Sequence, residues 1–221
     1  MKKHVKNPPK PFRLTNASVA IELMRRFPLA TIQPATHDQE FGTLIPLLVN
    51  EESDSRIQLR GHVDKNNPLT KHIAHAREFN VFFRSNDAYA SPDIYPDEQL
   101  PGWLYVSVGA RARVTRTLFG NAVAKCLIES TNAFGSTDQN FRLDPKDPRI
   151  DMFSPGILAF ELSILRFFGI AKLAQDKGAY HSELACKFLG GRDSDLADFY
   201  WRTAKSTMDL GWEGRIPINM Q

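Results

Sequence analysis

The sequence predicts an α+β fold, with strands in the middle of the chain and helices towards both ends. Trp103 to Thr115 and Leu158 to Ala171 alternate apolar and polar side chains, which is typical of half-buried strands. Towards the two ends, apolar residues recur every three or four positions, as on one face of a helix. We therefore predict a basic, proline-rich arm over residues 1–14 and a single domain over residues 15–221.

The first elements are a helix and a strand. Capping side chains at Thr15 and Asn16 precede Val19 to Phe27, whose apolar residues follow helical spacing, and Pro28 ends the helix. Leu29 to Ile32 then predicts the first strand of the sheet.

The second predicted strand, Phe41 to Val49, follows polar turn residues 36–40 and contains Pro46. Proline cannot donate to a ladder, so Pro46 belongs at a sheet edge or where the strand faces something other than a strand. This makes the strand a candidate ligand wall. Arg56 to His62 alternates apolar and polar residues and predicts a third, half-buried strand.

The segment from Gly61 to Lys71 is a candidate phosphate site. Gly61 lets the backbone leave the strand, and Asn67-Pro68 is typical of a helix N-cap followed by the first helical residue. A helix over Pro68 to Ala76 would present free backbone N–H groups to a phosphate, with Lys71 one turn further on. The alternative is an ordinary helix start that holds no ligand.

Aromatic residues beside turns form a second candidate region. Ala88-Tyr89-Ala90-Ser91-Pro92 and Pro101-Gly102-Trp103-Leu104-Tyr105 combine rings with turn-forming residues. This mix is expected where a flat ligand meets a wall made of loops. The alternatives are that Tyr89 and Ser91 shape a turn, and that Trp103 lies in the core or in an interface.

The remaining segments alternate between strand, loop and helix. Phe79 to Phe83 predicts a strand, and residues 135–156, rich in Pro, Asp, Gly and Ser, predict a long loop. Leu158 to Ala171 is long enough for a helix, but its alternation over Phe160, Leu162 and Ile164 favours a strand. The predicted helices of the second half are Asn121 to Thr131, Ala179 to Leu189 and Ser194 to Leu210.

The charge distribution argues against nucleic acid as a partner for most of the chain. The formal net charge is +3, yet residues 1–26 hold seven Lys or Arg against Glu22 alone, so acids outnumber bases in the rest. DNA affinity rests largely on neutralised phosphates, and no predicted helix resembles a recognition helix. We therefore predict no specific DNA binding outside the arm.

Cysteine and histidine usage indicates a reducing compartment and no metal site. Cys126 and Cys186 are too few for a disulfide scaffold and predict two buried, reduced thiols. His72 and His75 could share a metal, but no carboxylate or cysteine in a recognised spacing joins them. Because no apolar run is long enough for a signal peptide or a membrane span, we expect a cytoplasmic protein.

With these segments in place, most of residues 8–190 resembles the PaiB-like family of FMN-binding negative transcriptional regulators. The order and spacing of its short motifs fit throughout. The resemblance implies the split β-barrel that pyridoxamine-phosphate oxidases and flavin reductases share. The matching positions are Thr43 and Pro46, Gly61-His62 with Asn67-Pro68, Ala88-Tyr89 with Ser91-Pro92 and Tyr95, Pro101 with Trp103 and Tyr105, and Lys172-Leu173 with Gln175.

The resemblance also implies a homodimer with two FMN sites at the subunit interface. The backbone of Thr43 to Pro46 would border the flavin ring, and His62, Asn67 and Lys71 would hold the phosphate. Trp103 or Tyr105 would cover a ring face or the neighbouring subunit, and Lys172 would complete the site of the other chain. The full predicted set of cofactor-binding residues is Thr43, Leu44, Ile45, Pro46, Gly61, His62, Asn67, Lys71, Tyr89, Ser91, Trp103, Lys172 and Gln175.

The chain departs from the family pattern at four places, one of which is a pair of residues. Leu44 replaces a usual His, Thr70 a Trp, Ala174 a Ser, and Ser85-Asn86 a Gly-Pro pair. Three functions are therefore open: a flavin-binding regulatory or redox protein, a flavin-dependent oxidoreductase of the pyridoxamine-phosphate-oxidase-like class, or a dimeric scaffold without cofactor. The sequence shows no paired carboxylates, Ser-His-Asp order or thiolate motif, so any enzyme here would be a flavoenzyme.

Overall fold

The computed structural model describes residues 9–35, 42–51, 57–75, 77–135 and 141–208, which form two compact units. Unit 1 comprises the described parts of Met1–Leu23, Arg84–Val108 and Phe168–Gln221. Unit 2 comprises those of Met24–Phe83 and Gly109–Phe167. Most of the predicted arm lies outside the described residues, and the single domain over residues 15–221 stays a prediction.

Helices and strands follow one another in a mixed order. The helices are α1 (Ala17–Arg26), α2 (Leu69–Ala74), α3 (Asn121–Phe134), α4 (Pro148–Phe153), α5 (Ala179–Gly190) and α6 (Ser194–Met208). The strands are β1 (Arg13–Leu14), β2 (Leu29–Pro34), β3 (Thr43–Pro46), β4 (Leu48–Glu51), β5 (Ile57–Asp64), β6 (Glu78–Arg84), β7 (Ala88–Ala90), β8 (Gly102–Leu118) and β9 (Ile157–Lys172).

Unit 2 is built on a sheet whose terminal strands are β3 and β4. The strand order is β3-β2-β6-β8-β9-β5-β4, in which residues 109–118 of β8 and 157–167 of β9 belong to this unit. β2 runs antiparallel to β3 and β6, and β5 runs antiparallel to β4 and β9. Both long strands predicted from alternation, β8 and β9, are confirmed.

The predicted strand from Phe41 to Val49 is two strands, which corrects the sequence-based expectation. β3 ends at Pro46 and β4 begins at Leu48, and the two strands have different partners, β2 for β3 and β5 for β4. Leu47 between them still donates its N–H to the carbonyl of Pro28 at 2.9 Å. Because β3 is a terminal strand, Pro46 lies at a sheet edge as predicted, where its missing N–H costs no ladder hydrogen bond. Phe41 itself lies outside the described residues.

Gly61 lies inside β5, which continues to Asp64, so the prediction that Gly61 lets the chain leave the strand is wrong. A Cβ at this position would lie 2.5 Å from Cδ2 of Leu47 and 3.3 Å from Cζ of Phe160. Close packing in the core of unit 2 therefore requires glycine here.

One face of the unit 2 sheet is covered by α3. Leu118, Val123, Cys126 and Ala159 form a buried cluster between helix and strands. The predicted loop over residues 135–156 contains a further helix, α4, whose start is capped by Asp147, since its carboxylate accepts the N–H of Arg149 at 2.9 Å. Residues 136–140 of that loop lie outside the described residues.

Unit 1 contains the two C-terminal helices, α5 and α6. They pack so closely that a Cβ on Gly190 would lie 2.6 Å from Cα of Ala197. Phe199 and Tyr200 of α6 are fully buried in this unit. The start of α1 is capped as predicted, because Oδ1 of Asn16 accepts the N–H groups of Ser18 and Val19. Among the described helices, none is both long and apolar enough to cross a membrane.

Candidate functional site

The predicted site residues fall into two groups, one in each unit. Thr43 to Pro46, Gly61, His62, Asn67 and Lys71 belong to unit 2, and Tyr89, Ser91, Trp103, Lys172 and Gln175 belong to unit 1. Within unit 2 the structure brings β3 beside β5, since Cγ2 of Ile45 lies 3.6 Å from the position that a Cβ on Gly61 would take. The side chain of Ile45 therefore packs in the core, against the backbone of Gly61.

The outer edge of β3 is the strongest feature of the unit 2 group. In the order of paired strands β3 follows β2 and ends the sheet, so the described chain pairs no strand with its other edge. That edge carries backbone N–H and C=O groups, which can bind a planar ligand that itself carries both donors and acceptors. The strand predicted to be a ligand wall is thus suited to that role.

Apolar side chains surround this edge on one face of the sheet. Leu44 lies opposite Thr31 on β2, and Thr31 lies opposite Phe82 on β6, so the three side chains share a face. Leu29 lies two residues from Thr31 and therefore shares that face. Leu44, Phe82 and Leu29 are 62%, 46% and 56% exposed. We call Leu29, Leu44 and Phe82 the apolar face of unit 2.

Sequence reasoning missed Leu29 and Phe82 as candidate site residues. Each lies in a strand that was correctly predicted, but only the register of β2 with β3 and β6 places them beside Leu44. The signal that could have found them is the alternation of β2, in which Ala30 and Ile32 are buried and Leu29 is exposed.

His62 contributes a buried polar atom to the same unit. Among the described residues its Nδ1 has no hydrogen-bond partner, although the atom is hidden from solvent. Burial lowers the pKa of His62, so the neutral imidazole is favoured and Nδ1 can carry a proton to donate. An unpaired buried polar atom costs free energy, and a ligand oxygen that accepts this N–H would remove that cost.

The turn after β5 corrects the predicted phosphate seat. The N–H groups of Asn66 and Asn67 donate to Asp64, and those of Leu69 and Thr70 donate to Asn67. The predicted free backbone donors are therefore already engaged, and α2 is only six residues long, which gives it a small dipole. Side chains remain: Lys71 is exposed, and Asn67 uses its Oδ1 but not its amide nitrogen within the described structure.

In unit 1, Tyr89 and Trp103 form an aromatic pair on the outside of the sheet. They lie directly opposite each other on β7 and β8, with ring centroids 6.0 Å apart and ring planes inclined by 71°. Tyr89 and Trp103 are 54% and 53% exposed, so neither ring is a core residue. This edge-to-face pair leaves surface on both rings for a ligand or another protein.

Ser91 shapes a turn instead of facing a ligand. Its Oγ accepts the N–H of Asp93 at 3.4 Å and donates to the Asp93 carboxylate at 2.8 Å, which caps the short 3-10 helix Pro92–Ile94. Of the two alternatives that the sequence left open for Ser91, the structure favours the turn.

The side chain of Gln175, which the sequence predicts to be a cofactor ligand, is hydrogen-bonded inside unit 1. It is 1% exposed, and its Oε1 accepts the N–H of Leu173 at 2.7 Å. Its Nε2 donates to the carbonyl of Ala171 at 2.8 Å and to Oγ1 of Thr207 at 3.0 Å. A side chain with all its groups engaged inside unit 1 has nothing left to offer a ligand. Lys172, by contrast, is exposed.

The two thiols are buried, as predicted, and are poor nucleophiles. Burial raises the pKa of Cys126 to about 11 and that of Cys186 to about 12. Because the thiolate is the reactive form, neither cysteine supports nucleophilic catalysis near neutral pH. The described residues also contain no group of three His, Cys, Asp or Glu side chains that could hold a metal ion.

Comparison with known proteins adds a family and a fold. Residues 7–166 match the model of the family described as "Putative FMN-binding domain". A curated relative, protease synthase and sporulation protein PAI 2 of Bacillus subtilis (strain 168), is 22% identical over 170 residues, which cover 76% of this chain and 82% of that protein.

Two solved structures share the fold. The FAD and heme binding protein from Mycobacterium smegmatis superposes with a TM-score of 0.52 at 17% identity, covering 72% of this chain and 73% of that chain. The flavocytochrome Anf3 from Azotobacter vinelandii superposes with a TM-score of 0.53 at 14% identity, covering 73% of this chain and 69% of that chain. The predicted α+β split β-barrel is confirmed.

Proposed function

Because this chain belongs to the family described as "Putative FMN-binding domain", we propose that unit 2 binds FMN with the flavin ring along the edge of β3 and the phosphate near His62. Family membership confirms the PaiB-like resemblance and FMN as the cofactor. The observation that carries the placement is the buried, unpartnered Nδ1 of His62. It fits a ligand that brings an acceptor oxygen to this end of β5.

The phosphate would be held by side chains. Nδ1 of His62, the amide nitrogen of Asn67 and Nζ of Lys71 are three donors that the described structure leaves available around the turn after β5. The two neutral donors fix the geometry, and Lys71 supplies the charge that strengthens such hydrogen bonds. This arrangement replaces the backbone seat that the sequence suggested.

The ring would lie against β3. The outer edge of β3, away from β2, can exchange hydrogen bonds with the polar edge of a flavin, and Leu44 places an apolar side chain where the family usually has His. Leu44, 62% exposed, together with Phe82 would exclude water from one side of the ring. The bound flavin would supply the electron transfer that the protein's side chains lack.

Three of the four departures from the family pattern are compatible with an intact site. Ser85 replaces a glycine and is buried, with its Oγ donating to the carbonyl of Asn86 at 2.6 Å and accepting the N–H of Val106 at 2.9 Å. Thr70 donates to the carbonyl of Asn67 at 2.8 Å, and Ala174 is buried with a left-handed backbone, φ 58°. Each of these residues is accommodated by its local structure, and none of them is a proposed contact of the flavin.

We therefore favour a flavin-binding redox protein of the cytoplasm over a regulator that contacts DNA. The curated relative's name associates that protein with protease synthesis and sporulation, which keeps a regulatory role as the second candidate. Reduction of the bound flavin by a nicotinamide or other donor, followed under anaerobic conditions, would support the redox role. A sequence-specific mobility shift at physiological salt that survives loss of residues 1–11 would favour the regulator instead.

Flavin binding itself is testable by two substitutions. We expect His62→Ala combined with Lys71→Ala to weaken FMN affinity by about 2 kcal/mol or more, because each removes a polar contact worth on the order of 1 kcal/mol. Fluorescence titration of FMN against each variant measures this change. His75→Ala combined with Lys146→Ala is the matched control, since both residues are exposed and lie outside the proposed seat. If the wild type, the His62→Ala/Lys71→Ala variant and the control bound FMN with equal affinity, the FMN phosphate would not lie at this turn.

A second copy of the chain is the proposed partner, with Lys172 of the partner subunit completing each flavin site. The apolar face of unit 2, Leu29, Leu44 and Phe82, would otherwise stay in contact with water. We expect a dimer at micromolar concentration. Phe82→Lys should raise its dissociation constant by at least about tenfold, because the interface would then bury a charge. Phe119→Lys, at a 75% exposed position away from this face, should leave it unchanged.

Sedimentation over a dilution series measures both variants. A folded wild-type monomer at micromolar concentration would contradict the dimer, and equal effects of Phe82→Lys and Phe119→Lys would place the interface elsewhere.

A further inference from the structure

Unit 2 contains a polar pocket that the flavin proposal does not use. The pocket has a volume of about 450 Å³ and lies over β4, β5, β8 and β9. Its lining residues are Asn50, Gln58, Arg60, Thr115, Arg116 and Glu161.

The floor of the pocket is a carboxylate held between two guanidinium groups. Nε and Nη2 of Arg60 donate to Oε1 of Glu161 at 3.1 and 2.8 Å. From the other side, Nε of Arg116 donates to Oε2 at 3.0 Å and its Nη2 to Oε1 at 3.1 Å. The Glu161 side chain is only 8% exposed. Although burial raises the pKa of Glu161, the hydrogen bonds from Arg116 and Arg60 outweigh that effect and lower it, so the carboxylate stays charged.

The two arginines are engaged to different degrees. Arg60 is 17% exposed, and its third nitrogen, Nη1, donates to the carboxylate of Glu129. All three guanidinium nitrogens of Arg60 are therefore hydrogen-bonded within the protein. Arg116 is 63% exposed, and within the described structure its Nη1 donates to no group. Glu161 thus fixes the plane of Arg116 and leaves one of its nitrogens available.

The charges of this cluster do not balance. Arg60, Arg116 and Lys125 face only Glu129 and Glu161, which leaves one positive charge in excess among the described groups. We assign the excess positive charge to the side of the pocket, because Arg116, which lines it, makes fewer hydrogen bonds than Arg60. A positive charge next to neutral hydrogen-bond donors is a suitable environment for a bound oxyanion.

Neutral donors line the wall beside Arg116. Asn50 and Gln58 lie directly opposite each other on β4 and β5, so their side chains emerge on the same face of the sheet. Each amide can donate two N–H groups. A small tetrahedral oxyanion could therefore accept hydrogen bonds from Arg116 on one side and from the two amides on another.

We propose that this pocket binds a phosphate-type oxyanion, with Arg116 as the charged ligand and Asn50 and Gln58 as neutral ligands. The site is separate from the proposed flavin seat, which uses His62 and the turn that follows it, and does not depend on it. Free inorganic phosphate and the phosphate group of a small phosphomonoester share the required chemistry.

Phosphate titration of FMN-treated protein at constant ionic strength, followed by calorimetry and by thermal unfolding, tests the site. We expect saturable binding that Arg116→Ala weakens by about tenfold or more, because it removes a charge-assisted contact. Asn50→Ala combined with Gln58→Ala should weaken it by about threefold or more without any change of charge. Parallel titrations with methyl phosphate separate the two sources: tighter binding of the ester would identify a phosphorylated metabolite as the ligand.

Arg113→Ala is the matched control. Arg113 lies on the same strand, is 57% exposed and pairs with Glu78 at 2.6 Å, but it does not line the pocket. Its loss should change phosphate affinity by less than about twofold, while circular dichroism confirms that all variants are folded. Equal weakening by Arg113→Ala and Arg116→Ala would reduce the effect to net charge and overturn the proposal, as would linear, non-saturable uptake of phosphate by the wild type. Unchanged phosphate affinity in His62→Ala combined with Lys71→Ala would show that this site is separate from the proposed flavin site.

Discussion

Phe160→Ala is expected to lower the free energy of unfolding by about 3–5 kcal/mol, the usual range for removing a fully buried aromatic ring. Phe160 is 0% exposed and lies on β9 opposite Gly61 of β5. Its ring packs over Gly61, 3.3 Å from the position that a Cβ there would take. Because glycine has no side chain, nothing at that position can fill the cavity that loss of the ring would leave. For a chain of this length, the melting temperature should fall by roughly 6–20 °C.

Phe168→Ala is the matched control for this prediction, because Phe168 lies on the same strand but is 57% exposed. Its loss should cost less than about 1 kcal/mol, since little surface is withdrawn from water at that position. Chemical denaturation of both variants measures the difference. Similar midpoints for the two would mean that the ring of Phe160 is not buried in the native protein.

Gln175→Leu should have the second largest effect and should leave flavin binding intact. The substitution keeps the size of the side chain but leaves the N–H of Leu173 and the carbonyl of Ala171 buried without partners. Each unsatisfied group costs about 1–3 kcal/mol; with the lower half of that range for each of the two groups, we expect the free energy of unfolding to fall by about 2–4 kcal/mol. The FMN dissociation constant, measured where the variant is folded, should stay within about twofold of the wild-type value.

Gln99→Leu provides the comparison in the same unit. Gln99 makes one exposed hydrogen bond, from Nε2 to the carboxylate of Asp97 at 2.9 Å, and its replacement should cost less than about 1 kcal/mol. A Gln175→Leu protein with normal stability and weak FMN binding would restore Gln175 to the cofactor site that the sequence suggested.

Regular elements were predictable where the pattern was long. β8 and β9 each show a sustained alternation, and α1 combines helical spacing with capping residues and a terminating proline. In each case local geometry alone decides which side chains share a face, so the sequence contains the information. Two short elements were missed, β7 with three residues and α4 with six, although Asp147-Pro148 is an N-cap followed by proline and could have indicated α4.

The candidate site was predictable in part. The edge position of Pro46 followed from its missing N–H, and the placement of His62 on a half-buried strand followed from alternation. The break at Leu47 did not, because it depends on β3 pairing with β2 while β4 pairs with β5. Nor could the sequence show that the N–H groups around Asn67 would be hydrogen-bonded within their own turn.

The sequence by itself determined the α+β class, the order of the main strands and helices, and the family with its flavin cofactor, because these depend on residue spacing. Only the tertiary structure decided which polar groups are still available. Gln175 is engaged three times within unit 1, whereas Nδ1 of His62 and Nη1 of Arg116 have no partner among the described residues. Some hydrogen-bond partners come from distant parts of the chain, as Thr207 does for Gln175, and others depend on the exact geometry of a turn; the spacing of residue types along a sequence contains neither.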